Sequence, residues 1–430
     1  MIIVKLPSVL LFLLCLAGTL NAQDDLPDRL LVGYWHNWMY TPNHFILTEI
    51  SPAYDVINIS FAVSTVPGEA IMQFVPEPGI YPDPQDFIND VASLQAQGKK
   101  VLISIGGANG SIHVDDAADV QDFVSSMVQI IDNYGFDGID IDLEGGSLLL
   151  QGGDTDYQNP TTPLIVYFIE AVSQLLDLYS DDFILTMAPE TAYVQGAYSA
   201  YAGIWGAYLP VIHALREQLT YIHVQHYNTG ALFGLDGVVY NPATADFHVA
   251  MADMLLAGFP VAGGYFFAPL AAEQLLIGLP ASPQAAGSGY TIPALVQDAV
   301  TYLILGEPFE GAQYQLSDPA GYSAFRGLMT WSVNWDMYNE LEFSGSYRPF
   351  LDSFDSVPDL IELTIDITGN NVHLNWSDPT HSLWYVYRLA DPHEAPSVES
   401  RIAVTTDAFY IDENALNHTS AFYLVTADEE

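Results

Sequence analysis

The stretch FDGIDIDLE, residues 136–144, alternates apolar and acidic side chains with a period of two. In a β-strand this alternation sends successive side chains to opposite faces. The two isoleucines and the leucine then face one layer, and Asp140, Asp142 and Glu144 face the other, about 7 Å apart along the strand. The pattern therefore predicts a strand that is apolar on its outer face and carries three carboxyl groups on its inner face.

Similar short apolar runs recur along the chain, separated by segments with helical periodicity. This order is typical of βα units around a parallel sheet. We expect strands at residues 30–35, 56–63, 100–105, 138–143, 183–188, 221–227, 274–279 and 327–333. We expect helices in between, among them residues 120–134, 164–179 and 246–258. The sequence predicts an α/β fold, a (β/α)8 TIM barrel over residues 28–354, with functional residues at the carboxyl ends of its strands.

The pattern changes after Phe354. Helical periodicity ends, and residues 371–376 alternate polar and apolar side chains, with further strands expected at 384–389 and 422–426. This tail, residues 357–430, resembles a fibronectin type III-like module with Trp376 in its core. We therefore expect the barrel to be followed by a small all-β sandwich domain.

The N-terminus has the pattern of a secretory signal peptide. Lys5 precedes an apolar run, residues 9–17, and Leu20-Asn21-Ala22 resembles a signal peptidase site. The apolar run is too short to span a membrane. We predict that residues 1–22 are removed and that the protein is secreted, which also removes the single cysteine, Cys15.

The charge balance limits the partners. The chain has 430 residues, with 53 acidic and 9 basic side chains and a formal net charge of −44. Such a surface repels nucleic acids and anionic membranes, and suits a neutral or cationic substrate. The histidines form neither an HExxH motif nor an HxH pair, so we expect no metal site and no cofactor. We expect a monomer.

Three carboxyl groups on the inside of a barrel are costly to bury as charges. Like charges at this spacing push their pKa values apart, so at least one group should hold a proton near neutral pH. The apolar outer face excludes a solvated acidic surface. The even spacing, without a glycine-containing loop, disfavours a calcium site. The pattern favours a catalytic site.

The motif Asp-x-x-Asp-x-Asp-x-Glu at residues 137–144 resembles the signature of glycoside hydrolase family 18, the chitinases and their relatives. The resemblance is to bacterial-type enzymes without an insertion domain and covers about residues 28–352. Other expected strand ends carry matching motifs: Ser104-Ile105-Gly106-Gly107, Met187-Ala188-Pro189-Glu190, Gln225-His226-Tyr227-Asn228 and Trp331.

The resemblance implies catalytic roles for four residues. Glu144 would be the general acid, and the N-acetyl carbonyl of the substrate would act as the nucleophile. Asp142 would orient the acetamido group, and Asp140 would lie deeper and share a proton with Asp142. Tyr227 would donate its hydroxyl to the attacking carbonyl.

The resemblance also implies substrate-binding residues. Trp331 would form an apolar floor under the reacting sugar, and Gln225 and Asn228 would be polar groups beside it. Five further candidates are Met187, Phe61, Tyr34, Gly106 and Gly107. Met187 and Phe61 are open between core and contact, Tyr34 between core and sugar platform, and the two glycines between a tight strand exit and close substrate approach. Trp38 is a further possible platform.

We interpret the chain as a chitinase that acts on chitin or N-acetylglucosamine oligomers. The alternatives are an endo-β-N-acetylglucosaminidase acting on N-glycans and a non-catalytic chitin-binding lectin. Fewer than fifty residues separate Leu279 from Gly327, too few for the folded wall that processive relatives carry there. We therefore expect an open cleft and endo-cleavage. Asp137 is out of phase with the inner carboxyls and is expected to be structural, and His226 is expected to face outward.

Overall fold

The computed structural model of the protein describes residues 2–4, 26–39, 43–355, 362–368, 370–377, 384–389, 400–413, 415 and 421–426. The chain divides into two compact units. One is Leu20–Asp355, and the other combines Met1–Thr19 with Ser356–Glu430. The predicted signal peptide lies outside the described residues except for Ile2–Val4, and Cys15 lies outside them as well.

The larger unit is a closed barrel of eight parallel strands. In chain order β1–β8 are Leu30–His36, Val56–Ser64, Lys100–Gly106, Gly138–Asp142, Ile184–Met187, Tyr221–Gln225, Leu275–Pro280 and Gly327–Trp331. Each strand pairs with the next, and β8 pairs with β1 through the register Gly327↔Leu30 to Thr330↔Gly33, which closes the barrel. A short strand, Met72–Gln73, adds to β2 in antiparallel fashion. The predicted TIM barrel is confirmed.

Helices cover the outside of the barrel. In chain order α1–α8 are Pro84–Gln95, Ala117–Tyr134, Pro163–Leu176, Leu209–Ala214, Ala245–Ala257, Pro293–Leu305, Val333–Tyr338 and Glu342–Asp355. Short 3-10 helices lie at Leu47–Glu49, Thr191–Tyr193, Gln195–Tyr198 and Ala272–Gln274, and small hairpins pair Leu232–Phe233 with Val239–Tyr240 and Phe259–Val261 with Tyr265–Phe267. Helix α2 begins earlier than predicted because the Asp116 carboxylate accepts hydrogen bonds from the first-turn N–H groups of Ala118 and Asp119.

The barrel has two hydrophobic cores. The larger lies between strands and helices, and it contains Ile139 and Ile141 of β4. The smaller lies inside the barrel and includes Leu30, Val32, Val56, Leu102 and Met329. Asp140 and Asp142 are buried but belong to neither apolar cluster. The predicted alternation along β4 is therefore confirmed, with apolar side chains outward and carboxyl groups inward.

Four strands end earlier than the sequence predicted. Strand β4 ends at Asp142, β5 at Met187, β6 at Gln225 and β8 at Trp331. After β8 the chain turns directly into α7, whose first turn is capped by the Ser332 hydroxyl. Glu144 and Tyr227 therefore lie on the loops just beyond their strands, at the carboxyl end of the barrel.

The smaller unit contains two antiparallel sheets. One consists of Glu362–Thr368, Asn371–Ser377 and Phe409–Asp412, and the other of Ile2–Val4, Ala421–Thr426, Trp384–Leu389 and Arg401–Thr405. One apolar cluster draws side chains from both sheets, among them Trp376 and Trp384, whose rings make an edge contact at 6.0 Å. Trp376 is a core residue, as expected. The likeness to a fibronectin type III module stays a prediction.

No helix in the described part of the chain combines the length and apolar character needed to cross a membrane.

Candidate active site

Asp140 lies in the middle of the barrel and is surrounded by hydrogen-bond donors. Its carboxylate accepts hydrogen bonds from the hydroxyls of Tyr34 at 2.5 Å, Ser104 at 2.7 Å and Thr186 at 2.7 Å. His223 Nε2 lies 3.0 Å from the Asp140 Oδ1 atom. Burial raises the pKa of Asp140, but the His223 charge and the hydrogen bonds outweigh it and hold the pKa below its ordinary value. Asp140 therefore stays ionised.

Asp142 and Glu144 form a coupled pair above Asp140. Burial raises the pKa of Asp142 well above its ordinary value, and the charges of Glu144 and Asp140 raise it further. Burial also raises the pKa of Glu144, against the lowering effect of hydrogen bonds with Gln225 and Asp142. The Gln225 amide contacts both carboxyls, at 3.0 Å from Asp142 Oδ1 and 3.1 Å from Glu144 Oε1.

The three inner carboxyls thus have pKa values that are pushed apart, as the sequence predicted. The deep group is charged, and a proton is held by the upper pair of Asp142 and Glu144. The Asp142 side chain shares a hydrogen bond with Glu144, whereas Asp140 accepts its hydrogen bonds from the hydroxyls of Tyr34, Ser104 and Thr186. Proton sharing between Asp140 and Asp142 stays a prediction.

Aromatic rings form one wall of the site. The Trp331 ring lies at the end of β8 and stacks with Phe61 at a centroid distance of 5.9 Å and an angle of 15°. Trp38 stacks on Phe61 at 6.4 Å and 21°, and on the buried His36 at 4.3 Å and 17°. Two non-proline cis peptide bonds, Ser60–Phe61 and Trp331–Ser332, lie at this wall. The wall offers flat apolar faces of the kind that bind sugar rings.

These groups open into one cleft of about 810 Å³. Its acidic lining side chains are Asp142 and Glu144. The other lining residues are Asn37, Trp38, Ser60, Phe61, Val63, Ser64, Pro67, Gln73, Phe74, Val75, Gly106, Ala108, Asn109, Gly110, Ser111, Gln225, Tyr227, Asn228 and Trp331. The structure therefore brings Glu144, Asp142, Tyr227, Trp331, Gln225, Asn228, Phe61 and Gly106 together, while Asp140 lies one layer deeper.

The tyrosine and asparagine after β6 complete the floor of the cleft. Burial raises the pKa of Tyr227, and the charges of Asp142 and Glu144 add to this, so its hydroxyl stays protonated. Asn228 has a positive φ of 50°, and its side-chain oxygen accepts a hydrogen bond from Gly287 N at 2.8 Å. Tyr227 is therefore available as a donor, and the Asn228 carbonyl oxygen is already engaged by a loop.

Two predicted substrate contacts are corrected by the structure. Met187 is fully buried in the outer core, because alternation in β5 sends Thr186 into the barrel and Met187 towards the helices. Tyr34 is 1% exposed, does not line the cleft and bonds Asp140 through its hydroxyl. Met187 is a core residue, and Tyr34 holds the deep carboxylate.

Close packing requires the two glycines at the end of β3, Gly106 in its last position and Gly107 just after it. Gly106 has a φ of +106°, and a Cβ there would lie 2.5 Å from the carbonyl oxygen of Asp142. A Cβ on Gly107, with a φ of +73°, would lie 2.6 Å from the Phe61 ring. Gly106 also lines the cleft, whereas Gly107 does not. A tight strand exit accounts for both glycines.

The remaining motif residues lie outside the cleft. Asp137 accepts hydrogen bonds from Val101 N at 2.7 Å and from Gln95 Nε2 at 3.0 Å, which fits the structural role predicted for it. His226 faces the helix layer, where its Nδ1 lies 3.1 Å from Nδ1 of His248. Both residues support the barrel.

The sequence analysis missed His223 and Glu190, and left Trp38 open. The alternation along β6 contains the signal for His223, because an inward Gln225 requires an inward His223 two residues earlier. Glu190 follows β5, and burial together with the Glu144 charge raises its pKa to about 6. Glu190 is therefore a second carboxyl group, besides Asp142, whose pKa is raised by the charge of Glu144.

Among the described residues, one cluster has the donor set for a metal ion: Asp115, Asp116 and Asp119 at the start of α2. Two of the three carboxylates are exposed, and Asp116 already caps the helix. This acidic cluster shares no residue with the lining of the cleft.

The barrel, the inward carboxyls and the aromatic wall agree with the family resemblance. The model of the glycosyl hydrolases family 18 matches residues 30–336. The chain belongs to this family. The match covers the entire barrel sheet, from the first residue of β1 to the last residue of β8.

Relatives in this family are close in sequence over the barrel. The chain is 54% identical over 332 residues to Chitinase D of Niallia circulans. This alignment covers 76% of this chain and 63% of the relative. The chain is 53% identical over 328 residues to Chitinase Chi52 of Paenibacillus xylanexedens, covering 76% and 62%. The chain thus spans less than two thirds of the length of these curated relatives.

A solved structure shows the same fold. The family GH18 chitinase from Chromobacterium violaceum superposes with a TM-score of 0.70 and 37% sequence identity. The alignment covers 77% of this chain and 86% of the other.

Proposed function

We propose that the protein is a secreted chitinase that hydrolyses the β-1,4 bonds of N-acetylglucosamine polymers with retention of configuration. The observation that carries the proposal is the pair of buried carboxyls, Asp142 and Glu144, which the Gln225 amide bridges in the cleft beside an aromatic wall. Burial raises the pKa of both carboxyls, which favours a proton on the pair. Two relatives that are more than 50% identical to the chain are named chitinases, which supports the same substrate.

Glu144 is the general acid of the proposed reaction. Its pKa is raised by burial, so it retains a proton to a higher pH than a free glutamate does. It donates this proton to the glycosidic oxygen as the bond from that oxygen to the anomeric carbon breaks. Gln225 orients the carboxyl from the inner side of the cleft, since its amide bonds both Glu144 and Asp142.

The carboxyl group of Asp142 does not attack the sugar. The carbonyl oxygen of the substrate's own N-acetyl group bonds to the anomeric carbon and forms an oxazolinium ion. Asp142 accepts a hydrogen bond from the acetamido N–H and stabilises the positive charge, and Tyr227 donates to the attacking oxygen. Water then bonds to the anomeric carbon, and the bond from that carbon to the acetamido oxygen breaks. The water gives a proton to the Glu144 carboxylate. Because the anomeric carbon undergoes two displacements, its configuration is retained.

The proposed action is endo-cleavage in an open cleft. All of residues 281–326, between β7 and β8, are described, and they contain one helix, α6. The rest of this interval is loop, so no second folded element stands there as a wall over the cleft. An open cleft lets a chain bind anywhere along its length.

Secretion is proposed from the sequence pattern of residues 1–22. Action on N-glycans is not favoured, because the similar relatives are named chitinases. A lectin without activity is not favoured either, because the acid Glu144, its partner Asp142 and Tyr227 are all present in one cleft.

The direct test is Glu144→Gln, with Glu170→Gln on the exposed face of α3 as the matched control. The amide keeps the shape and most hydrogen bonds but has no proton to transfer. We expect turnover of N-acetylglucosamine hexamer to fall by roughly 10²–10⁴ or more while binding, measured by calorimetry, persists. The control should behave as the wild type.

The same assay reports the nucleophile. Proton NMR in the first minutes should show the β-anomer as the initial product, and fully deacetylated oligomers should not be cleaved because they lack the carbonyl. An initial α-anomer would refute substrate assistance. A Glu144→Gln variant that keeps a tenth of the wild-type rate would refute the assignment of the acid.

A further inference from the structure

Two tyrosine hydroxyls hold the backbone on both sides of Glu144. The N–H of Leu143 donates a hydrogen bond to Tyr208 Oη at 2.7 Å. On the other side, Tyr193 Oη donates to the carbonyl oxygen of Gly145 at 2.6 Å. Both tyrosines are buried, at 0% and 1% exposure, and neither lines the cleft.

These contacts replace a sheet ladder that has ended. Strand β4 ends at Asp142. The carbonyl oxygen of Asp142 accepts a hydrogen bond from the N–H of Gly107, just after β3, at 2.7 Å. The buried N–H of Leu143 has no strand beside it to bond, and such a group is costly without an acceptor. The Tyr208 hydroxyl is that acceptor. It also lies 3.3 Å from the carbonyl oxygen of Ile141 and 3.2 Å from that of Leu143, to either of which it can donate its own proton.

The two tyrosines form one unit. Both lie on the segment between β5 and α4, and Tyr208 N donates to the carbonyl oxygen of Tyr193 at 3.1 Å. Their rings meet edge to face at 5.8 Å and 87°. Burial raises the pKa of both phenols, so both remain neutral. The pair therefore acts as a clamp, which we call the tyrosine clamp, between the β5 loop and the backbone that carries Glu144.

We propose that Tyr193 and Tyr208 are positioning residues that fix the carboxyl of Glu144 at the distance needed for proton transfer to the glycosidic oxygen. The proposal rests on the proposed role of Glu144 as the general acid. Neither tyrosine touches the substrate, so the clamp acts on the rate of bond cleavage and leaves substrate binding unchanged. Misplacement of a catalytic group by about 1 Å can cost on the order of a hundredfold in rate.

The test compares Tyr208→Phe and Tyr193→Phe with Tyr81→Phe. Tyr81 is the matched control, because its buried hydroxyl also accepts a backbone N–H, that of Leu47 at 2.6 Å, and also donates, to Asp90 at 2.8 Å. It lies in the outer core, away from the cleft. Its removal therefore has a similar cost in stability without touching the backbone of the acid.

Two substrates separate positioning from a structural effect. N-acetylglucosamine tetramer has a sugar leaving group that requires a proton, whereas the 4-nitrophenyl glycoside of the disaccharide has a leaving group that departs with little protonation. For Tyr208→Phe we expect kcat on the tetramer to fall by about tenfold to a hundredfold, with KM within about twofold. On the aryl glycoside we expect a fall of less than about threefold. Tyr81→Phe should have the kcat and KM of the wild type on both substrates.

Glu144→Gln is measured in parallel, so that the two proposals can fail separately. If Glu144→Gln still cleaves the tetramer, the assignment of the acid is wrong. Two outcomes would refute the tyrosine clamp while Glu144→Gln is inactive. In one, both clamp variants keep the wild-type kcat; in the other, their kcat falls equally on the tetramer and on the aryl glycoside. Urea unfolding of each variant establishes that it is folded. If Tyr208→Phe does not fold, Tyr193→Phe decides, because it removes a donor and leaves no backbone N–H unsatisfied.

Discussion

Replacing His223 with leucine tests how the barrel tolerates a buried carboxylate. His223 and Asp140 are both fully buried, with His223 Nε2 at 3.0 Å from Asp140 Oδ1, and the histidine lowers the pKa of the carboxyl. Breaking a buried ion pair costs about 3–5 kcal/mol, since a charge is left without its partner. The hydroxyls of Tyr34, Ser104 and Thr186 still solvate Asp140, so we expect the low end, about 3 kcal/mol at pH 7.

The pH dependence gives the sharper signature. In the wild type the pKa of Asp140 is below its ordinary value, so the ionised carboxylate stabilises the fold above about pH 4. Without His223, the remaining hydrogen bonds offset burial only in part, and we expect the pKa of Asp140 to rise above its ordinary value. The folded variant then takes up a proton before the unfolded chain does. The difference in the free energy of unfolding between variant and wild type therefore shrinks as the pH falls from about 6 towards 4, where a histidine in the unfolded chain already carries its proton.

The assay is urea unfolding at several pH values, with Thr330→Val as the control. Thr330 is also fully buried in the barrel, but its hydroxyl donates to the carbonyl oxygen of Leu279 at 3.1 Å. Threonine does not titrate, so the cost of this substitution should not vary with pH. A loss below about 1 kcal/mol for His223→Leu, or one that is constant with pH, would refute the account of Asp140 as an ion held by its partners.

Two further predictions concern the surface and the cleft. The net charge of −44 should cause self-repulsion, so the melting temperature should rise as sodium chloride approaches 1 M, where the Debye length is about 3 Å; a flat or falling curve contradicts this. The open cleft predicts a fast early fall in the viscosity of a soluble chitin derivative and a broad range of products. Release of disaccharide alone from the first minutes would refute endo-cleavage.

The orientation of side chains along strands could be predicted from the sequence, because a strand has a fixed period of two. This rule placed Asp140 inside the barrel and His226 outside it. Applied to β5 and β6, it also places Met187 outside and His223 inside, as the structure does. A family motif assigns residues by their position in the sequence and not by the face of the strand they occupy, so it does not separate the outward Met187 from the inward His223.

Depth inside the barrel could not be predicted in the same way. Periodicity assigns Tyr34 to the interior, but the stagger of neighbouring strands decides which interior layer it occupies, and residue patterns do not encode that stagger locally. The Tyr34 hydroxyl reaches Asp140, one layer beneath the cleft, so Tyr34 is no platform for a sugar. Contacts from loops are less predictable still: Tyr208 bonds a residue 65 positions earlier in the chain.

Depth also decides which carboxyl carries the proton. Asp140 has three hydroxyl donors and a histidine, whereas the side chain of Asp142 receives the shared amide of Gln225. The better solvated group keeps its charge. The pKa of Asp142 is raised by burial and by the charge of Glu144, and the charge of Asp140 raises it further. A fixed negative charge below the pair therefore keeps a proton between Asp142 and Glu144, next to the bond to be cleaved. The partners of Asp140 act on the acid through this charge, although none of them lies in the cleft.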